Sequence, residues 1–366
     1  MPAANKISCF QLTALLVAGV LPTALLVVPT NTAVYAGNNF WAPLTIAWLL
    51  ASLLCYLFTA PACFRPVWSL LAGENNGGRR WGQVICNLML VIYFILSSSV
   101  VLREFVDLMG TIYLRNTPVW LVAVTLLLVV DYGLRVGLLP VARINGLAVS
   151  LTLVIVVTVV VADLHALDLE FLRPQFSHWP GLLRGSLLPL GWMSETILFS
   201  LLLGYFLSDP RQIRLAGLLA LLLDYLLLLF VNFATIGLFG AEVSARMIFP
   251  AFNLIRETRL ETLSFFERTD ALFMAVWVLG MAFKLAVFMS CAKLCLLRAV
   301  QLSDYRFCLL PCGLLILALA LYGWENISAL LQFSNLTVPP YLLFYNIVFL
   351  LAVYLFSRLG GKKQEG

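Results

Sequence analysis

Charge is what this sequence has least of. Asp, Glu, Lys and Arg make up 11 % of its 366 residues against 62 % hydrophobic, and the mean hydropathy is +0.98. A soluble domain is charged at about a quarter of its positions, so the composition excludes a globular protein and indicates a polytopic integral membrane protein. Histidine is nearly missing, and His165 and His178 fall in one loop. No Ser/His/Asp arrangement or phosphate-cradling loop accompanies them, so neither an enzyme nor a bound cofactor or metal is expected. The net charge of +5 is small and no basic run is long enough to grip phosphate, which argues against a nucleic-acid partner. The eight cysteines lack CxxC spacing. Cys291/Cys295 and Cys308/Cys312 stand at i,i+4, as small packing residues on one helix face.

Long apolar runs fill the rest. At roughly 20 to 35 residues per span and loop, about ten transmembrane helices fit. They read as Ser8–Val28, Asn39–Cys63, Trp81–Tyr113, Pro118–Leu134, Ala142–Ala162, Gly185–Leu207, Ile213–Gly240, Phe266–Arg298, Arg306–Trp324 and Pro339–Arg358. The first run follows Lys6 and precedes Val34-Tyr35-Ala36, which imitates a signal peptide. Its length, and the membrane sequence after it, make it span 1. Pro66, the Asn75-Asn76-Gly77-Gly78 run, Pro174 and Pro180 mark loops. Two loops are long, at residues 165–184 and 241–265, and the second has the mixed charge of a short surface helix. Of the 23 lysines and arginines, about twice as many lie on the side of the termini as on the other. That excess puts both termini in the cytoplasm.

Three features point to a binding site. Lys284 sits near the middle of the eighth span, behind a charged collar of Glu267, Arg268 and Asp270. Facing lipid it would cost about 2.5–3.5 kcal/mol, so it is expected to face the bundle interior. Span 1 carries Gly19 and Pro22 near its middle, and span 6 carries Pro189 and Gly191 ahead of Glu195. Breaks in the first and sixth of ten spans correspond if the chain is two halves of five, the pattern of an inverted-repeat transporter with its site at the midplane. The expected fold is therefore an all-α integral membrane protein of ten helices in a 5+5 inverted repeat with helices 1 and 6 broken. It forms one membrane domain, with repeats over about residues 7–163 and 185–358. Other charges within the spans need an account as well. Arg103 and Asp107, at i,i+4 beside Glu104 toward the outer end of span 3, read as a structural pair; Asp224 in span 7 is expected to face protein.

The chain resembles the spore germination proteins of the GerAB/GerKB type, the B subunits of germinant receptors in the amino acid–polyamine–organocation superfamily. The resemblance runs through ISCFQLTALL, PTNTAVYAGNNFW, LRPQF, GWMSETILF and FGAEVSARMIFPAFNLIR, and above all FFERTDALFMAVWVLGMAFK, followed by Asp304-Tyr305-Arg306 and Pro311. It implies a small nutrient ligand, often an amino acid, and partnership with an A subunit and a lipoprotein C subunit in the spore inner membrane or cell membrane. The family's pocket corresponds to Pro22, Thr23 and Ala24 on span 1, Tyr93 and Ser97 on span 3, and Gly191, Trp192 and Glu195 on span 6. On span 8 it corresponds to Lys284 and Phe288. Some members have glycine where Pro22 and Ala24 stand here. By its chemistry the set suits a zwitterion, with helix-break N–H groups for a carboxylate and carbonyls or hydroxyls for an ammonium. Lys284 would take the place of a coupling cation. Three functions follow from different classes: a nutrient-sensing receptor subunit, a proton- or sodium-coupled amino-acid permease, and an assembly subunit with a vestigial pocket.

Overall fold

The structure, a computed structural model, describes residues 6–72, 80–174, 179–257, 269–301 and 306–359. The Asn75–Gly78 run, His178, the collar residues Glu267 and Arg268, Asp304, Tyr305 and the last seven residues lie outside them. The described chain is almost wholly helical. Its helices are α1 (Cys9–Ala36), α2 (Trp41–Phe58), α3 (Pro61–Ala72), α4 (Arg80–Ile112) and α5 (Val119–Val136). Next come α6 (Leu138–Asp163), α7 (Trp179–Leu203), α8 (Ile213–Phe239), α9 (Ala241–Ser244) and α10 (Pro250–Glu257). The last group is α11 (Thr269–Val300), α12 (Arg306–Tyr322), α13 (Ile327–Leu336), α14 (Val338–Leu343) and α15 (Leu350–Leu359), with a π-helical stretch over Phe344–Phe349. Among the described residues nine helices are long and apolar enough to cross a membrane, and α12 with α13 makes a tenth if that bent pair is one span.

Packing trades partners between the two halves. α1 lies on α8 while α7 lies on α2; α1 touches α6 while α7 touches α14. α4 packs on both α11 and α12, and α5 packs on the same two. Counting spans, each of these contacts has its counterpart five spans along.

At the centre stand α1 and α7, the two most deeply buried spans. A capping box starts α1: Gln11 N donates to Ser8 Oγ at 3.2 Å and Ser8 N to Gln11 Oε1 at 2.9 Å. The chain just before it pairs with the segment after α7, Ile7 N donating to the Phe206 carbonyl at 2.8 Å and Ser208 N to the Ile7 carbonyl at 3.0 Å.

The expected breaks are not unwound. α1 runs as α-helix through Gly19, Pro22 and Pro29, and α7 through Pro189 and Gly191. Proline's φ is that of a helix, so it forfeits one backbone bond without ending the helix when packing holds the turn on every side. Side-chain donors also reach carbonyls of the proline-containing turns. Trp277 Nε1 donates to the Pro22 carbonyl at 2.9 Å, and Thr32 Oγ1 to the Val28 and Pro29 carbonyls at 3.0 and 3.2 Å.

Three boundaries differ from expectation for local reasons. Pro66 lies inside α3, a short helix begun by Pro61. Pro180 lies in the first turn of α7, where its missing N–H costs nothing, so that helix starts before Gly185. The ninth span ends at Tyr322 and the chain turns by 108° into α13. There a Cβ on Gly323 would stand 2.5 Å from the Leu319 carbonyl, and Asn326 caps α13 by accepting from Ala329 N at 2.9 Å. The long segment after α8 holds two short helices, α9 and α10, and α10 is mostly buried against α1, α8 and α11 instead of lying on the surface.

The bend therefore depends on Gly323. Gly323→Ala is expected to lower the thermal midpoint of the solubilised protein by the equivalent of about 1–3 kcal/mol. Gly313→Ala, in open space within α12, should be neutral or stabilising; equal effects from both would refute the steric account.

Candidate functional site

Lys284 is buried in the middle of α11, 1 % exposed. A lone ammonium there must be met by acceptors, and α1 provides them: Nζ donates to Thr23 Oγ1 at 2.7 Å and to the Val20 carbonyl at 3.5 Å. Across from it Glu195 Oε2 stands 3.9 Å away. The Phe288 ring lies one turn on, its centroid 5.5 Å from Nζ. One cation thus links three helices, α11, α1 and α7.

Glu195, 2 % exposed, follows the Pro189–Gly191 turns of α7 and points to the same place. Tyr93 on α4 donates its hydroxyl to Glu195 Oε1 at 3.3 Å, while Oε2 accepts no hydrogen bond. The Tyr93 ring packs against Tyr341 and Tyr345, with centroids 5.3 and 4.9 Å apart, and Tyr341 returns a bond from its hydroxyl to the Tyr93 carbonyl at 2.9 Å. Phe288 meets Phe199 and Phe94 edge-on. Below this aromatic layer Asn346, in the π-helical stretch, donates to Ser194 Oγ at 3.0 Å.

These groups enclose a cavity of about 30 Å³. That volume suits a water-sized group, so anything larger requires its walls to move. Of the residues singled out by sequence, Thr23, Ser97, Trp192, Glu195, Lys284 and Phe288 line it, and Tyr93 sits behind Glu195. Pro22, Ala24 and Gly191 do not. Pro22 turns to the far side of α1, where it lines a second hollow with Asn145 and Trp277. Ala24 is packed in the core. Gly191 allows α7 to approach α14, since a Cβ there would meet the Pro339 Cα at 3.4 Å. With α7 unbroken, the N–H groups at Gly191 and Trp192 belong to a helix that continues on both sides. The free donors expected to hold a carboxylate are therefore not offered by a break.

Sequence reasoning missed Glu104, Phe333 and Tyr341, all of which line the cavity. Glu104, 8 % exposed, accepts from Ser334 Oγ at 3.4 Å. Its neighbour Arg103 does form the expected pair, Nε lying 3.0 Å from both Asp107 carboxylate oxygens. A further nitrogen of Arg103 donates to the Ala320 and Leu321 carbonyls at 3.2 and 3.4 Å, closing the C-terminal end of α12. The signal for Glu104 was present: Tyr93, Ser97 and Glu104 fall at i, i+4 and i+11, one stripe along a helix. Phe333 and Ser334 carried none, because nothing in their own segment reveals that α13 folds back over the site. Asp224 is fully buried in α8, as expected, and neither carboxylate oxygen has a hydrogen-bond partner. Among the described residues no group of His, Cys, Asp or Glu could hold a metal ion.

Comparison with known proteins agrees with this architecture. The sequence profile of a family described as spore germination protein matches residues 6–328. Spore germination protein KB of Bacillus subtilis is 23 % identical, covering 98 % of each chain. Spore germination proteins B2 and A2 of the same organism are 22 % and 21 % identical over about three quarters of each chain. Among solved structures, a nucleobase-cation-symport-1 family transporter in a closed conformation with bromovinylhydantoin bound superposes with a TM-score of 0.65 at 14 % identity. It covers 95 % of this chain and 78 % of its own. A manganese transporter from Eremococcus coleocola in complex with an aromatic bis-isothiourea substituted compound gives a TM-score of 0.56 at 17 % identity, covering 94 % and 78 %. Both show the fold, that of a helical transporter.

The charge pair at the centre makes a stability prediction. Lys284→Met alone strands Glu195 and is expected to cost about 3–5 kcal/mol, whereas Lys284→Met with Glu195→Gln should recover a large part of it. Thermal unfolding of the solubilised variants measures this; additive losses would mean that the two groups do not interact.

Proposed function

The chain belongs to the spore germination protein family, and on that footing we propose that it is the B-type, ligand-sensing subunit of a germinant receptor. The observation that carries the reading is the small cavity lined by α1, α4, α7 and α11, built around an ammonium anchored on α1. In this reading the ligand is a small nutrient, an amino acid being the first candidate. It enters between helices 1 and 6 of the repeat and contacts Thr23, Ser97, Trp192, Glu195 and Phe288. Tyr93 orients Glu195, and Pro22, Ala24 and Gly191 act through helix packing rather than through contact with the ligand.

Lys284 then does the work of a coupling cation. Its bonds to Thr23 and the Val20 carbonyl hold α1 against α11, the place a coupling cation would otherwise take. The protein should accordingly need no sodium. The repeats are taken as about residues 7–163 and 185–358 of one membrane domain, with both termini cytoplasmic on the loop-charge argument. The membrane is the spore inner membrane or the cell membrane, and the partners are a germinant receptor A subunit and a lipoprotein C subunit. No loop between the spans is long enough for a signalling domain, and in this reading the state of the cavity passes through helices and loops to those partners.

A second reading, an amino-acid permease, is supported by the transporter fold of the structural neighbours; uptake of labelled amino acid into proteoliposomes separates the two. A vestigial pocket in an assembly subunit is the third; ligand-dependent stabilisation of the purified chain would argue against it.

The sensing reading predicts that Lys284→Met abolishes the nutrient response of spores while the chain still reaches the membrane. A normal response from that variant, or a sodium requirement for ligand binding by the wild type, would count against it. Expressed without its A-type partner, the chain should be low in abundance or silent. A full response from the lone chain removes the receptor assembly from the reading.

A further inference from the structure

The ionisable groups lining the cavity do not balance. Glu104, Glu195 and Lys284 all line it, and all three are more than nine-tenths buried. Two carboxylates face one ammonium. The ammonium, bonded to Thr23 and Val20 and 3.9 Å from Glu195, brings one positive charge against the two. Arg103 cannot make up the deficit for its neighbour Glu104. Its guanidinium is occupied by Asp107 and by the carbonyls that end α12.

The two carboxylates are also poorly supplied with donors. The hydrogen bond Glu104 accepts is a long one, 3.4 Å from Ser334, and Glu195 Oε2 accepts none. A carboxylate sealed from water without a counter-charge is costly. The rings of Trp192, Phe288, Phe333 and Tyr341 line the same cavity, and the face of an aromatic ring favours a cation over an anion.

We propose that the cavity takes a ligand with one more positive than negative charge, a simple amine or an amino acid with a second ammonium, whose ammonium is received between Glu104 and Glu195. The proposal rests on the reading of this cavity as the ligand site. A free volume of about 30 Å³ admits the ammonium group itself. The rest of the ligand displaces the α13 wall, where Phe333 and Ser334 lie. For a basic amino acid, Lys284 meets the carboxylate and the site becomes neutral. A neutral zwitterion leaves the excess negative charge in place.

The test uses the full chain in lipid nanodiscs and reads thermal stabilisation by three probes: L-lysine, its near-isostere L-norleucine, and n-butylamine. L-Lysine and n-butylamine are expected to stabilise at concentrations about tenfold or more below L-norleucine. Glu104→Gln should erase that preference, Glu104→Asp should keep it, and Phe288→Ala should weaken all three probes. If L-norleucine matches L-lysine while both depend on Phe288, the ligand site stands and the charge assignment falls, a proton on Glu104 having balanced the site instead. Retention of the preference in Glu104→Gln likewise overturns it. If no probe stabilises the wild type, or if stabilisation ignores Phe288, the ligand-site reading falls and takes the proposal with it.

Discussion

A single ammonium deep in an apolar bundle constrains much of this molecule. Lys284 could not be left without acceptors at the middle of a membrane-length helix, and the acceptors come from two other helices. α1 supplies a hydroxyl and a carbonyl, and α7 supplies the nearby carboxylate. Because α1 and α7 are the two most buried spans, the charge draws the inner helices of both halves to one point. The aromatic layer of Tyr93, Tyr341, Phe288 and Phe199 then closes over the pair and keeps water scarce, which strengthens every electrostatic contact inside it.

The fold was largely legible, because hydropathy reports spans directly and only helices satisfy their own backbone in lipid. Lys284 and Glu195 were legible for the same reason: a charge inside an apolar run has to be explained. What stayed hidden depended on packing. Pro22 and Pro189 read as breaks, yet the turns around them are held on every side and remain helical. Ala24 and Gly191 were tied to the pocket only through those breaks, and they serve helix packing. Glu104 was hidden by its neighbour, since Arg103 invited a local pairing and Asp107 accepts it.

The tail of the ninth span shows the limit most clearly. Gly323 and Asn326 are ordinary turn and cap residues, and they announce that a helix stops. They say nothing about direction. The 108° turn is what brings Phe333 to the cavity and Ser334 to Glu104. Direction was set by contacts more than 200 positions away in sequence, where α4 meets α12 and α13.

Those contacts fall on consecutive residues of α4, and they are unequal in grip. Arg103 fastens the end of α12 through two carbonyls while braced by both oxygens of Asp107. Glu104 keeps α13 by one stretched hydroxyl bond. The arrangement is a pivot beside a catch. Of the two fastenings at this corner the one to α12 is the firmer and the one to α13 the slacker. Whatever competes with Ser334 for Glu104 acts on the catch alone.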